Sequence, residues 1–166
     1  MQQHAIFNEI YEKYAEPIYR HCFFRVYSQE IAEELMQDVF VKYWAYLERG
    51  VEVEYPQALL YRIANNSIID YKRKKQAISL DAMLEDQPQL EPTGSDGKDM
   101  EHDFLLHQVL DEVKTLSERD QQLMIMRYVD DLGPSDIAEA LGMTPNAVSV
   151  QLNRLVKKLR DRMHPQ

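Results

Sequence analysis

Apolar residues recur along this chain at three- and four-residue spacing, and no segment shows the sustained alternation of a strand. In QEIAEELMQDVFVKYWAYLE, Ile31, Leu35, Val39, Tyr43 and Leu47 share one face, while Glu33, Glu34, Gln37 and Asp38 gather elsewhere. Start signals divide the helical stretches. A helix over about 5–27 has a restart marked by Pro17, Ser28 opens a second over about 29–49, and Pro56 opens a third over about 56–75. Further on, the pattern predicts helices over about 101–115 and, after Ser117, about 118–130, and then two short helices in GPSDIAEALGMTPNAVSVQLNRLVKKLR, residues 133–160. No internal repeat is present.

The last pair carries the sharpest local signal. Gly133 with Pro134 starts one helix, Leu141-Gly142 ends it, and Thr144 with Pro145 starts the next, so the two helices must cross at a tight turn. Small Ala138 sits at the predicted crossing. Val148, Leu152, Leu155 and Leu159 form one apolar stripe on the second helix. Its other side offers Asn146, Ser149, Val150, Asn153, Arg154, Lys157 and Lys158, donors, acceptors and positive charge that suit base edges and phosphates in a major groove. This is a helix-turn-helix pattern, against which stands the plainer reading of a helical hairpin with a solvated basic face.

Residues 76–100, QAISLDAMLEDQPQLEPTGSDGKDM, show no sustained helical period and hold two Pro and two Gly, so they read as a flexible linker. The expected fold is all-α: an N-terminal helical domain over 1–75, the linker over 76–100, and a C-terminal helix-turn-helix domain over 101–166. A length of 166 residues with 45% hydrophobic content suits two small cores. No apolar run approaches a membrane span, and the first residues, MQQHAIFNEIYEKY, lack a signal-peptide core, so no membrane insertion and a cytoplasmic location are expected. Cys22 is the single cysteine, which excludes an intramolecular disulfide.

A net charge of -9 argues against nucleic acid as a partner until the charge is divided along the chain. Residues 81–103 hold one Lys against eight Asp and Glu, whereas the flanking parts are nearly balanced and cluster their cations as YKRKK at 71–75 and RLVKKLRDR at 154–162. Local basic faces on an acidic chain, with weak DNA affinity for the free protein, are expected. Fourteen of the 16 aromatic residues lie in the first 80. Phe23, Phe40 and Trp44 read as core anchors. Tyr55, Tyr61 and Tyr71 interleave with Arg62, Lys72, Arg73, Lys74 and Lys75 and with Asn65 and Asn66, placing stacking faces beside cations as unpaired bases require.

Taken together, YEKYAEPIYRHCFFRVYSQEIAEELMQDVFVKYWAYLERG, YPQALLYRIANNSIIDYKRKK and LSERDQQLMIMRYVDDLGPSDIAEALGMTPNAVSVQLNRLVKKLRDRM resemble bacterial RNA polymerase sigma factors of the extracytoplasmic-function (ECF) group. The resemblance implies that the first domain binds the beta-prime clamp of core RNA polymerase and opens the minus-10 element. By position, Glu34, Gln37 and Asp38 match the core-binding segment. The loop ERGVEVEYPQ, residues 48–57, matches the element that captures a flipped base, and the helix with Tyr61, Arg62, Asn65, Asn66 and Tyr71 matches the promoter-contacting one. Tyr55, Lys72 and Arg73 complete this minus-10 set. The second domain matches the minus-35 reader, with Thr144 near phosphate, Asn146, Ser149, Val150, Asn153 and Arg154 toward the groove, and Lys157 and Lys158 on the backbone. The helix over 118–130 is implied to dock on the beta flap through exposed apolar residues. The linker is implied to thread the channel that later holds nascent RNA, and an anti-sigma factor is an implied partner. Two departures stand out: Leu59 where the family often has Trp, and Glu52 and Glu54 in the capture loop.

The competing reading is a stand-alone helix-turn-helix transcriptional regulator, which would dimerise on palindromic sites. Nothing in the first domain reads as a dimer seam or ligand pocket, so a monomer is expected when the chain is free. His102 and His107 lack the spacing that lets two imidazoles share a metal, and His21-Cys22 is a lone pair on an aromatic helix. No catalytic residue, metal or cofactor is expected; nucleotide addition belongs to the polymerase.

Overall fold

A computed structural model describes residues 2–82 and 100–164. Among these residues there are seven helices and no strand. Three long helices, α1 (Gln2–Val26), α2 (Gln29–Glu48) and α3 (Pro56–Ala82), form the first half, and α4 (Met100–Lys114), α5 (Glu118–Tyr128), α6 (Pro134–Leu141) and α7 (Pro145–Met163) form the second.

The local start signals operate as the sequence predicts. The hydroxyl oxygens of Ser28, Ser117 and Thr144 accept from the backbone N–H groups of Ile31, Asp120 and Ala147, each satisfying one of the unpaired donors at a helix start. Gly142 ends α6 at φ 67°, a left-handed conformation that costs a side chain energy, and the N–H groups of Gly142 and Met143 both turn back to the Ala138 carbonyl.

Two boundaries differ from expectation. Helix α1 runs through Pro17 without the restart expected there. An interior proline costs about 3 kcal/mol, which packing on both sides of it offsets: Phe7, Ile10 and Tyr14 before it, and the fully buried Ile18 and Cys22 after it, rest on the same core. Helix α3 continues seven residues past 75, to Ala82. Residues 76–82, QAISLDA, contain no glycine or proline, and Gln76, Ala77 and Ile78 are exposed, so backbone propensity carries this extension. The rest of the expected linker, residues 83–99, lies outside the described residues.

In the first half, Ala32, Leu35, Val39, Phe40, Tyr43 and Leu47 of α2 face Leu60, Ala64 and Ile68 of α3 and Ile18 and Cys22 of α1. Phe40 is core, as expected, with Tyr11 edge-on at 4.9 Å; Phe23 and Trp44 are half-buried rims, Trp44 lying edge-on to Phe7 at 5.4 Å. In the second half the predicted stripe of Val148, Leu152, Leu155 and Leu159 is buried in full, against Leu123, Ile137 and Ala138.

The halves do not stand apart. Helix α5 packs on α1 and α6 packs on α3, so the core is continuous across both.

Candidate nucleic-acid and polymerase interfaces

The outer face of α7 is built by elimination. Its four stripe residues turn inward, which leaves Asn146, Val150, Asn153, Arg154, Lys157 and Lys158 exposed and Ser149 half-exposed along one side. Pro145 sets the helix start, and Thr144 spends its hydroxyl oxygen on the Ala147 N–H, keeping its own O–H free to donate. None of Arg154, Lys157 and Lys158 forms an ion pair among the described residues. The seven positions that the sequence pattern assigns to the groove are thus on one accessible, cationic face at the start and middle of a helix.

The acidic face of α2 is likewise open. Glu34, Gln37 and Asp38 are all exposed. Asp38 accepts from the Lys42 ammonium at 2.9 Å and from the Ser67 hydroxyl at 3.3 Å, which ties it to α3 and fixes its direction. Among the described residues Glu34 and Gln37 make no such bond.

The residues of the minus-10 set are divided. Tyr55, in the non-helical segment between α2 and α3, is exposed, as are Glu52 and Glu54 beside it. Asn66 and Arg73 are exposed, Arg73 pairing with Asp70 at 2.7 Å, and Tyr71 is half-buried. Leu59 is half-buried against the core and offers no ring for stacking. Tyr61 and Asn65 are buried and Lys72 is half-buried, and Arg62, though exposed, is tied to the second half. Tyr61 is 2% exposed and stands edge-on to His21 at 5.2 Å. Asn65 is buried beneath His21, Arg25 and Met126. The Arg62 guanidinium donates to the carbonyls of Glu139 at 2.9 Å and Ala140 at 3.4 Å, at the end of α6. The Lys72 ammonium donates to Glu118 at 3.1 Å and Gln121 at 3.3 Å, on the first turns of α5.

This seam draws in residues that carry no motif. Arg25, 2% exposed, donates to Glu118, and His21 lies between Asp130 and Asn65. Burial lowers the affinity of Arg25 and Lys72 for their protons, and Glu118 opposes this in both. Burial, with Asp130 nearby, pushes the Cys22 thiol up to about 12. A signal for the seam did exist: His21 and Arg25 sit four apart on the α1 face that also carries Ile18 and Cys22, and polar residues inside an apolar stripe need partners.

The expectation of exposed apolar residues on helix 118–130 is met only at Tyr128; Leu123, Met124, Ile125 and Met126 are buried. The open apolar surface lies beside it, in a groove of about 430 Å³ between α4, α5 and α7, lined by Leu106, Val109, Val113, Tyr128, Val156 and Met163 among others. Among the described residues no three of His, Cys, Asp and Glu converge as metal ligands, and no helix is long and apolar enough to cross a membrane.

Residues 10–78 match the family model described as Sigma-70 region 2, and residues 106–159 match that of Sigma-70, region 4. Related proteins include the RNA polymerase sigma factor SigV of Bacillus subtilis, 29% identical over 87% of this chain and 83% of its own length. The ECF RNA polymerase sigma factor SigW of the same organism is 26% identical, over 93% of this chain and 89% of its own length. The RNA polymerase sigma factor YlaC, also of Bacillus subtilis, is 24% identical over 98% and 95%. Both regions occur here in one chain and in order; a stand-alone helix-turn-helix regulator accounts for the second match only.

Proposed function

We propose, for a chain that belongs to the sigma-70 family as an ECF-type factor and directs promoter recognition by RNA polymerase, a division of labour among its helices. Helix α7 reads the minus-35 element. Ser149, Val150, Asn153 and Arg154 meet base edges, Thr144 and Asn146 meet the groove's entrance, and Lys157 and Lys158 hold phosphates. The observation that carries this is the outer face of α7: accessible along its length, cationic, and free of internal ion pairs among the described residues.

The acidic face of α2, with Glu34, Gln37 and Asp38, docks on the basic helices of the beta-prime clamp, and the apolar groove of α4, α5 and α7 receives the beta flap. Tyr55 with the segment around it captures a flipped minus-10 base, while Tyr61, Arg62, Asn65, Asn66, Tyr71, Lys72 and Arg73 line the opened strand. Residues 1–75 and 101–166 act as the two binding units and the acidic stretch 76–100 as their tether. The protein works in the cytoplasm as a monomer when free, without catalytic residues, cofactor or metal, and an anti-sigma factor controls it.

Run-off transcription with core RNA polymerase on genomic fragments tests the reading. Discrete starts that require this chain are expected. Starts unaffected by Arg154→Ala and Lys157→Ala together would refute the assignment of α7.

A further inference from the structure

The two halves meet around a cavity of about 480 Å³, with α3 on one side, the start of α5 on another and the end of α6 closing it. Two guanidiniums converge there. Arg62 of α3 donates to the carbonyls of Glu139 and Ala140, and Arg119 of α5 donates to that of Leu141 at 3.2 Å, so both reach the negative end of α6. Both are exposed, neither is ion-paired among the described residues, and each keeps N–H donors that these carbonyls do not use.

Gln122 adds an independent sign of a missing partner. It and its neighbour Gln121 are both buried, but their amides differ. Gln121 donates to the carbonyls of Lys114 and Leu116 and accepts from the Lys72 ammonium, so its amide is engaged at both ends. The Gln122 side chain, in a residue only 4% exposed, makes no hydrogen bond among the described residues, and this residue lines the cavity. A carboxamide drawn out of water needs a partner, and the cavity is the place for one. Asn66, exposed on the α3 wall, offers a second carboxamide with no internal bond among the described residues.

The charges favour an anion even in a chain of net charge -9. Arg62 and Arg119 face a single lining carboxylate, Glu118, which already holds Arg25 and Lys72. Guanidiniums grip phosphate through paired N–H groups, carboxamides match the donor and acceptor edge of a nucleobase, and a carboxylate accepts from ribose hydroxyls. Ile69 and Leu141 give the apolar wall that the face of a base requires, and the volume suits a small ligand.

We propose that this cavity binds a nucleoside monophosphate, with the phosphate on Arg62 and Arg119 and the base edge on Gln122 and Asn66. The site goes beyond the polymerase and promoter surfaces: it shares Arg62 and Asn66 with the minus-10 set, whereas Arg119 and Gln122 belong to neither surface. A ligand there touches α3, α5 and α6 at once. Its binding adds to the stability of the packed chain and couples the junction of the halves to the level of a soluble metabolite.

Isothermal titration calorimetry of the full chain with AMP, GMP, CMP and UMP, with their nucleosides and with inorganic phosphate tests the site. At least one nucleotide is expected to bind about tenfold or more tightly than both its own nucleoside and inorganic phosphate. Arg119→Gln and Gln122→Leu are each expected to weaken that nucleotide about tenfold, and Lys13→Gln, which removes an exposed cation from α1, should leave it unchanged. Arg119 is exposed, so its variant decides the matter even if Gln122→Leu disturbs the core. No nucleotide binding to the wild-type chain at millimolar concentration, a nucleotide no tighter than phosphate, or full retention of binding by Arg119→Gln overturns the proposal.

Discussion

His21, in the last two turns of α1, and Asp130, two residues past the end of α5, meet at 2.6 Å with both side chains fully buried. The other ring nitrogen faces the side-chain oxygen of Asn65 at 2.8 Å, and Arg25 donates to that same oxygen at 3.4 Å. Either neutral tautomer of the ring donates to one of its two oxygens; the doubly protonated ring donates to both. The contact joins the first half to the second, so its strength is measurable as coupling. In a double-mutant cycle of His21→Ala and Asp130→Ala, thermal or urea unfolding is expected to yield a coupling of roughly 1–3 kcal/mol. Additive losses would show that the pair contributes nothing beyond two separate burials.

The acidic face of α2 should affect polymerase binding and little else. Gln37→Ala with Asp38→Arg is expected to weaken association with core polymerase about tenfold or more in a pull-down titration. Helicity by circular dichroism should be unchanged, because both side chains are exposed. Loss of the Asp38 contacts to Lys42 and Ser67 should cost less than about 1 kcal/mol of stability, as for other exposed pairs. Undiminished association would remove this face from the interface.

On α7, specificity and affinity should separate by residue. Arg154→Ala is expected to cost about 1–3 kcal/mol on the preferred promoter and to relax sequence choice at one position of a minus-35 library. Lys158→Ala is expected to weaken all library members alike and to flatten the salt dependence. Identical profiles for the two variants would mean that the outer face reads no bases at Arg154.

Cys22 should be chemically silent in the native protein and visible in its alkaline stability. Burial raises its thiol from 9.0 to about 12, and burial beside Asp111 raises the Tyr27 phenol from 10.0 to about 12. Both are acids whose folded form holds its proton more tightly than the unfolded form. The unfolded state therefore releases protons first, and stability falls as pH rises from about 9 toward 12. Melting temperatures at pH 8 and above pH 10 should diverge more for wild type than for Cys22→Ala, by up to one proton's worth of slope. Alkylation of Cys22 should be slow until denaturant is added. Fast modification of the folded protein would contradict the burial.

The parts of this fold that were legible in the chain are those decided within one or two helical turns. Ser28, Ser117 and Thr144 cap helices because a hydroxyl reaches an N–H three residues on, and Gly142 stops α6 because it adopts a left-handed conformation without penalty. Val148, Leu152, Leu155 and Leu159 had to share a face because the helix repeats every 3.6 residues, and the outer face of α7 follows from theirs. Periodicity says which side chains share a face, but not what stands across from them. That is why Tyr61 and Asn65 turned out to be buried and Arg62 and Lys72 to be tied to the second half, and why His21, Arg25, Glu118 and Asp130 carried no motif at all. Their partners lie 40 to 109 residues away, so only the packing of α1, α3, α5 and α6 on one another brings them together. Once out of water, each of these polar groups needs a partner, and that requirement arises only when the two halves have met.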